Sequence, residues 1–130
     1  MSAVHLNIGR DTYKTIIHTR GHEIIADEPT ELGGHDLGFN PKELLAAALG
    51  ACTSITLRMY ADRKEWDIAA IETEVHVDWK KDELKTNFTR KINFTGNIDE
   101  TQKERLLKIA NSCPVHKILS GEIEIQTTVH

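Results

Sequence analysis

The longest predicted helix lies in NPKELLAAALGACTSITLRMYADRK, residues 40–64. Asn40 is a good N-cap, Pro41 suits the first helical position, and Glu43 follows Asn40 at the spacing of a capping box. The small residues Ala47, Ala48, Gly50 and Ala51 would let another helix approach closely. The periodicity predicts one buried apolar face, made of Leu45, Ala48, Leu49, Cys52, Ile55 and Met59.

Alternating apolar and polar segments flank this helix on both sides. Upstream, the pattern predicts strands over 4–8, 13–19 and 23–26, followed by a loop over 27–39 that is long enough to suggest a function. Downstream, it predicts a hairpin of 68–79 with 87–94, a helix capped by Asp99, and a short helix from Pro114 to Gly121. A last strand over 122–129 would place four side chains on one face: Ile123, Ile125, Thr127 and Val129. The order βββ-α-ββ-α-α-β predicts an α+β fold, as a single domain over residues 1–130.

Composition narrows the classes of function. Only two Trp, two Tyr and three Phe occur among 130 residues, so the aromatic core is thin and a dimer that completes the burial is favoured. The net charge of −4 and the lack of a basic stripe argue against a nucleic-acid partner. The longest apolar run, 44–51, is too short for a membrane span, and the N-terminus lacks a signal-peptide pattern. We therefore expect a cytoplasmic protein without membrane contact.

The two cysteines of the chain are candidates for chemistry. Cys52 lies inside the long helix and is either a small apolar core residue or a reactive thiol. Cys113 precedes Pro114, where helical N–H groups would stabilise a thiolate; a plain N-cap or buried loop residue is the alternative. If their Cβ atoms come within about 4 Å, the pair can pass from sulfenic acid to disulfide.

A reactive Cys52 needs a nearby cation. On a regular helix Arg58 points away from Cys52, and Arg63 lies about three turns further along, so the cation must come from another element. Arg20, at a predicted β turn, is the preferred candidate, and a solvated turn residue is the alternative. The seven His are scattered without metal-ligand spacing, although His116 is close enough to Cys113 to contact it.

At the two cysteines the sequence resembles a known family. The segments GFNPKELL (38–45), AALGACT (47–53), RMYADRK (58–64) and CPVH (113–116) resemble the OsmC/Ohr family of thiol-dependent hydroperoxide reductases. The loop motifs Asp27-Glu28-Pro29 and Gly33-Gly34 resemble the family's loop before its central helix. The likeness extends over nearly the whole chain, and it is strongest to the OsmC-like branch of small members.

The resemblance implies an intertwined homodimer with long central helices packed between two strongly curved antiparallel sheets. It implies that Cys52 is the peroxidatic thiol, Cys113 the resolving thiol and Arg20 the activating cation. It also implies organic hydroperoxides as substrates, no bound cofactor, and an external dithiol reductant, in the family often a lipoylated protein. Family peroxidases carry a Glu ten residues before the first Cys; here that residue is Lys42, a difference that bears on the efficiency of the reaction.

The prediction from sequence is therefore thiol-dependent reduction of organic hydroperoxides by a Cys52/Cys113 redox pair. Two alternatives belong to other classes of function. One is an OsmC-like dimer that binds a small apolar molecule or a thiol metabolite with little or no peroxidase turnover. The other is a structural dimer with inert core cysteines.

Overall fold

A computed structural model describes residues 3–130. Its α-helices are α1 (Pro41–Arg63), α2 (Glu100–Ala110) and α3 (Pro114–Ser120). Its strands are β1 (His5–Ile8), β2 (Thr15–Thr19), β3 (His22–Ala26), β4 (Ile68–Lys80) and β5 (Lys85–Gly96). The chain divides into a first compact unit that ends at Leu45 and a second that spans Ala46–His130. The predicted α+β class is confirmed.

The first unit is an antiparallel meander with the order β1-β2-β3. The register pairs Leu6 with Ile17 and Ile17 with Ile24. The β2–β3 turn places Arg20 and Gly21 at φ values of 49° and 82°, in the left-handed region that favours glycine. A loop with a short 3₁₀ turn at Thr30–Leu32 follows β3.

The loop of the first unit is organised by one buried carboxylate, that of Asp27, which is 2% exposed. One oxygen accepts from the backbone N–H groups of Tyr13 (3.0 Å) and Glu28 (2.7 Å), and the other from His35 (3.3 Å) and Leu37 (3.2 Å). Burial by itself raises the pKa of Asp27, but these four donors outweigh it and lower the pKa below its ordinary value. The carboxylate thus holds the loop as a fixed charge.

Helix α1 begins as the sequence predicted. Asn40 and Glu43 form the capping box, since the Glu43 N–H donates to Asn40 (2.8 Å) and the Asn40 N–H donates to Glu43 (2.9 Å). The predicted buried face is confirmed at Leu49 only: Leu45, Ile55 and Met59 are 47, 55 and 66% exposed. The buried residues are Leu49, Thr53, Leu57, Tyr60 and Ala61. The helix is apolar on more than one side, so periodicity could not select the side that packs within this chain.

The second unit contains the predicted hairpin of β4 and β5. A 3₁₀ turn at Lys81–Glu83 joins the two strands. Gly50 of α1 faces β4 closely, because a Cβ atom at that position would lie 3.2 Å from Val75 Cγ2. The small residues of α1 therefore admit a strand, where the sequence predicted another helix.

Helices α2 and α3 also match their predicted caps. Asp99 and Gln102 form a capping box for α2, and Pro114 occupies the first turn of α3, with Cys113 as its N-cap. The core of the second unit lies between α1, α2 and the hairpin and is built from Leu57, Tyr60, Ala61, Ile68, Leu106 and Ala110.

The predicted last strand is wrong for this chain, because residues 122–130 carry no secondary structure. Ile123, Ile125 and Val129 are 55, 85 and 94% exposed. The alternation is present, but a strand also needs a neighbouring strand for its N–H and C=O groups. No such pairing is recorded for this segment within residues 3–130.

Helix α1 is long and apolar enough to cross a membrane by length and composition, although its longest unbroken apolar run is short. The core helix of a soluble protein can have the same length and apolar composition. Leu57, Tyr60 and Ala61 of this helix are buried in the core of the second unit. Their packing favours a core helix.

Candidate active site

Cys52 lies on α1, where the helix passes the start of α3. Its side chain is half-buried, and its Sγ atom accepts a hydrogen bond from the N–H of Val115 at 3.5 Å. The thiol is free. Partial exposure of this residue favours access by a small molecule more than the full burial of a core cysteine would.

Cys113 lies at the junction of α2 and α3 and is fully buried. Its N–H donates to Ala110 at the end of α2 (3.4 Å), and its C=O accepts from Lys117 in α3 (3.1 Å). The backbone is therefore fixed by both helices. Thr53, the neighbour of Cys52, lies 3.6 Å from the Cys113 sulfur, and the Cys52 sulfur bonds the N–H of Val115, two residues after Cys113, so the fold brings the two predicted residues close together.

Thr53 follows Cys52 on α1 and links the thiols to the strands. Its buried hydroxyl donates to Leu49 O at 2.7 Å and lies 3.6 Å from the Cys113 Sγ atom. The same oxygen accepts from Arg90 Nη1 at 2.9 Å. Thr53 was not predicted from the sequence, because a Thr in a helix beside a Cys carries no signal of its own.

Arg90 is the cation of this site, and the sequence did not reveal it. It lies on β5 opposite Val75, and its Nη2 atom donates to Asn111 (2.9 Å) and to His116 Nδ1 (3.1 Å). Because Nδ1 accepts this bond, the proton of a neutral His116 ring lies on Nε2. A signal was available: Arg90 occupies an inward position between Phe88 and Ile92 in the alternation of β5.

These contacts act on the charge of Cys113. Burial by itself raises the pKa of the Cys113 thiol. The His116 N–H, the Thr53 hydroxyl, the Cys52 thiol and the charge of Arg90 outweigh burial and lower the pKa below its ordinary value. The thiolate of Cys113 is therefore more stable than that of an ordinary cysteine.

A cavity of about 680 Å³ lies beside Arg90 on the inner face of β5. Leu49, Phe88, Ile92, Leu107 and Leu119 supply its apolar walls, while Arg90, Asn111 and His116 supply polar groups. A cavity of this size and mixed lining fits a small amphipathic molecule.

The other predicted site residue, Arg20, belongs to the first unit and is exposed at the β2–β3 turn. Its role stays a prediction.

Glu43 serves in the capping box of α1, and Lys42 precedes it in the sequence. Within residues 3–130, no three His, Cys, Asp or Glu side chains are grouped to hold a metal ion.

Comparisons with known proteins bear on the family and the fold of the chain. Residues 33–128 match the family described as OsmC-like proteins. No functionally curated protein matches the sequence.

Among solved structures, an osmotic-stress-induced and detoxification-response protein of Psychrobacter arcticus is 26% identical, with a TM-score of 0.79 over 91% of this chain and 88% of that one. An organic hydroperoxide resistance protein of Legionella pneumophila is 21% identical, with a TM-score of 0.67 over 93% of this chain and 90% of that one. An organic hydroperoxide resistance protein of Vibrio cholerae, with captopril bound in one of its active sites, is 18% identical, with a TM-score of 0.68 over 97 and 88% of the two chains. The matched residues include both cysteines and all of α1, and the chain belongs to the OsmC-like family.

Proposed function

We propose that the protein reduces organic hydroperoxides with Cys52 and Cys113 as its redox pair. The observation that carries the proposal is the proximity of the two free thiols, which are distant in sequence and lie close together in the second unit. Neighbouring structures named as organic hydroperoxide resistance proteins support the same class of reaction.

In the first step the Cys52 sulfur attacks one peroxide oxygen. The S–O bond forms and the O–O bond breaks, so the sulfur is oxidised to a sulfenic acid and the alkoxide leaves as the alcohol after taking a proton. The half-buried position of Cys52 supports this role, since the fully buried Cys113 is less accessible to a substrate.

In the second step Cys113 attacks the sulfur of the Cys52 sulfenic acid. The S–S bond forms, the S–O bond breaks, and hydroxide leaves as water after taking a proton. An external dithiol, such as the lipoyl group of a protein, then returns two electrons and two protons to restore both thiols. No bound cofactor takes part in the proposed cycle.

We assign Arg20 as the cation for Cys52 in this proposal, following the family resemblance. Lys42 stands where family peroxidases carry a Glu, so the proposed Arg20 would lack that family clamp. Arg90 contacts Thr53, whose hydroxyl lies beside the Cys113 sulfur, so we do not assign it to the first step. Arg20→Met is expected to slow sulfenic acid formation at Cys52, and an unchanged rate would exclude Arg20 as the activating cation.

The proposed assembly is the intertwined homodimer, in the cytoplasm. Large apolar side chains that α1 and the C-terminal segment leave exposed support it, and they include Ile55, Met59, Ile123, Ile125 and Val129. Met59→Lys would place a charge on the exposed face of α1. We expect it to shift the protein towards monomer in sedimentation velocity, whereas Glu104→Lys, on an exposed position of α2, would leave the dimer unchanged.

The function is tested by counting free thiols and measuring intact mass after adding one equivalent of an organic hydroperoxide. The native protein is expected to lose both thiols and two hydrogens. Cys113→Ser is expected to hold a trappable sulfenic acid at Cys52, while Cys52→Ser forms no disulfide. Persistence of both native thiols would exclude this reaction.

A second candidate function is binding of a small thiol or apolar molecule without turnover. The cavity beside Arg90 supports it, as does the Vibrio cholerae structure with captopril in one of its active sites. Captopril would raise the melting temperature of the native protein if this function holds. Stabilisation by captopril without hydroperoxide-dependent thiol loss would favour binding over reduction.

A further inference from the structure

Arg90 is a half-buried cation that forms no ion pair with a carboxylate among the described residues. Its guanidinium donates to a hydroxyl, an amide oxygen and an imidazole nitrogen, those of Thr53, Asn111 and His116. Among the described residues, no Asp or Glu oxygen lies within ion-pair distance of it. A half-buried guanidinium without a carboxylate partner favours a negative charge elsewhere in its surroundings.

The Thr53 hydroxyl connects that cation to a sulfur. Its oxygen accepts from Arg90 at 2.9 Å, and its single proton has two acceptors within reach, Leu49 O at 2.7 Å and the Cys113 sulfur at 3.6 Å. When Cys113 is a thiol, the Thr53 hydroxyl can keep donating to Leu49 O, and the S–H group of Cys113 can donate to the Thr53 oxygen. When Cys113 is a thiolate, the hydroxyl can rotate and donate to it, and the Arg90 bond makes the hydroxyl a stronger donor.

We propose that Arg90 and Thr53 are positioning residues that hold the negative charge on Cys113, so that this cysteine attacks the Cys52 sulfenic acid as a thiolate. The inference rests on the proposed function and deepens it, because it separates the second step of the cycle from the first. In the second step the thiolate forms the S–S bond, the S–O bond of the Cys52 sulfenic acid breaks, and hydroxide leaves to the solvent, where a buffer acid protonates it to water.

The surroundings of Cys113 contain few other groups that could set its charge. The titratable or charged groups recorded around it are Cys52 from α1, Arg90 from β5 and His116 from α3. Once Cys52 is a sulfenic acid, its sulfur no longer competes for the negative charge. Arg90 then remains the positive group of the cluster, and Thr53 its link to the sulfur.

The experiment compares Thr53→Val and Arg90→Met with the native protein in stopped-flow oxidation by an organic hydroperoxide. Sulfenic acid formation at Cys52 should keep its rate, whereas disulfide formation at neutral pH should slow by about threefold to tenfold. The loss is modest because a more basic thiolate is also a better nucleophile. The deficit should disappear at alkaline pH, where the Cys113 of every variant is ionised, and a merely structural role would not produce that pH profile.

Two variants serve as controls. Thr53→Ser keeps the hydroxyl and should restore the native rate of disulfide formation. Lys91→Met removes a neighbouring positive charge that lies exposed on β5 opposite Glu74, and it should leave both steps unchanged. Equal slowing by Lys91→Met and Arg90→Met would overturn the proposal, as would a disulfide step that is native in Thr53→Val.

A separate readout keeps this inference distinct from the proposed function. The ultraviolet absorbance of the Cys113 thiolate can be titrated in a Cys52→Ser background without any hydroperoxide. Adding Thr53→Val or Arg90→Met should move the titration to higher pH, and an unmoved titration would overturn the inference. If the native protein forms no disulfide with hydroperoxide, the proposed function fails, and this titration still decides the role of Arg90 and Thr53.

Discussion

Asp27 in the first unit and Cys113 in the second are both buried groups whose negative form is held by hydrogen-bond donors. Asp27 receives four backbone N–H bonds, two on each oxygen. The pKa of Cys113 is lowered by the backbone N–H of His116 and then by the side chains of Thr53, Cys52 and Arg90. Backbone donors are fixed by the fold, whereas a hydroxyl can rotate and a thiol can be oxidised. A buried anion is therefore structural when its donors are fixed, and it can take part in chemistry when its donors can change.

The largest effect on stability is expected for Asp27, whose hydrogen-bond donors are fixed by the backbone. In Asp27→Asn the amide can accept on one side only, and its NH₂ group faces N–H donors on the other. Buried donors are left unpaired, so we expect the melting temperature to fall by about 10 °C. Asp36→Asn is the matched control, since Asp36 is exposed in the same loop at a φ of 53°, which Asn tolerates. Equal melting temperatures for Asp27→Asn and Asp36→Asn would show that Asp27 does not organise the loop.

The same carboxylate should also give the stability a defined dependence on pH. Its pKa is lowered in the folded protein, so its contribution is complete above the unfolded pKa of about 3.9 and is lost as the pH falls through the folded pKa. The gap in unfolding free energy between the native protein and Asp27→Asn should therefore be constant near neutral pH and close in acid. Denaturant unfolding at a series of pH values measures it, and a gap that narrows on the alkaline side would contradict the assignment.

Cys113 should show a smaller effect in a different pH range. Its pKa is also lowered on folding, so its contribution is complete above the ordinary thiol pKa of about 8.5 and is lost as the pH falls through the folded pKa. Under reducing conditions, the native protein should gain stability relative to Cys113→Ser as the pH rises from neutral towards about 8.5. A difference that stays flat over this range would show that Cys113 is not held as a thiolate.

The two groups also differ in how far the sequence predicted them. Cys113 was a candidate because a Cys before Pro114 at a predicted helix start is readable from the chain. The four donors to Asp27 come from a loop whose backbone path has no periodicity, so they could not be predicted. Arg90 carried a readable signal, a charge in the inward phase of β5, yet its partners on α1 and α3 depend on packing.

The elements themselves were mostly predicted, and the errors share one cause. The capping boxes at Asn40 and Asp99 and the β4–β5 hairpin follow from local rules, and each is confirmed. The buried face of α1 and the strand over 122–129 were wrong, because each depends on what packs against an apolar face. Periodicity predicts such a face but does not identify its neighbour.

The smallest expected effect concerns a carboxylate that has a partner but no burial. The pKa of Glu74 is lowered chiefly by its hydrogen bond with His76, at 3.0 Å, yet both side chains are more than two-thirds exposed. Water solvates both groups when they separate, so we expect Glu74→Gln to change the melting temperature by no more than about 1–2 °C. Thermal unfolding of Glu74→Gln beside Asp27→Asn measures the difference directly. An equal fall in melting temperature in the two variants would contradict the distinction between Asp27 and Glu74. A lowered pKa alone, without burial and fixed donors, would then suffice to stabilise the fold.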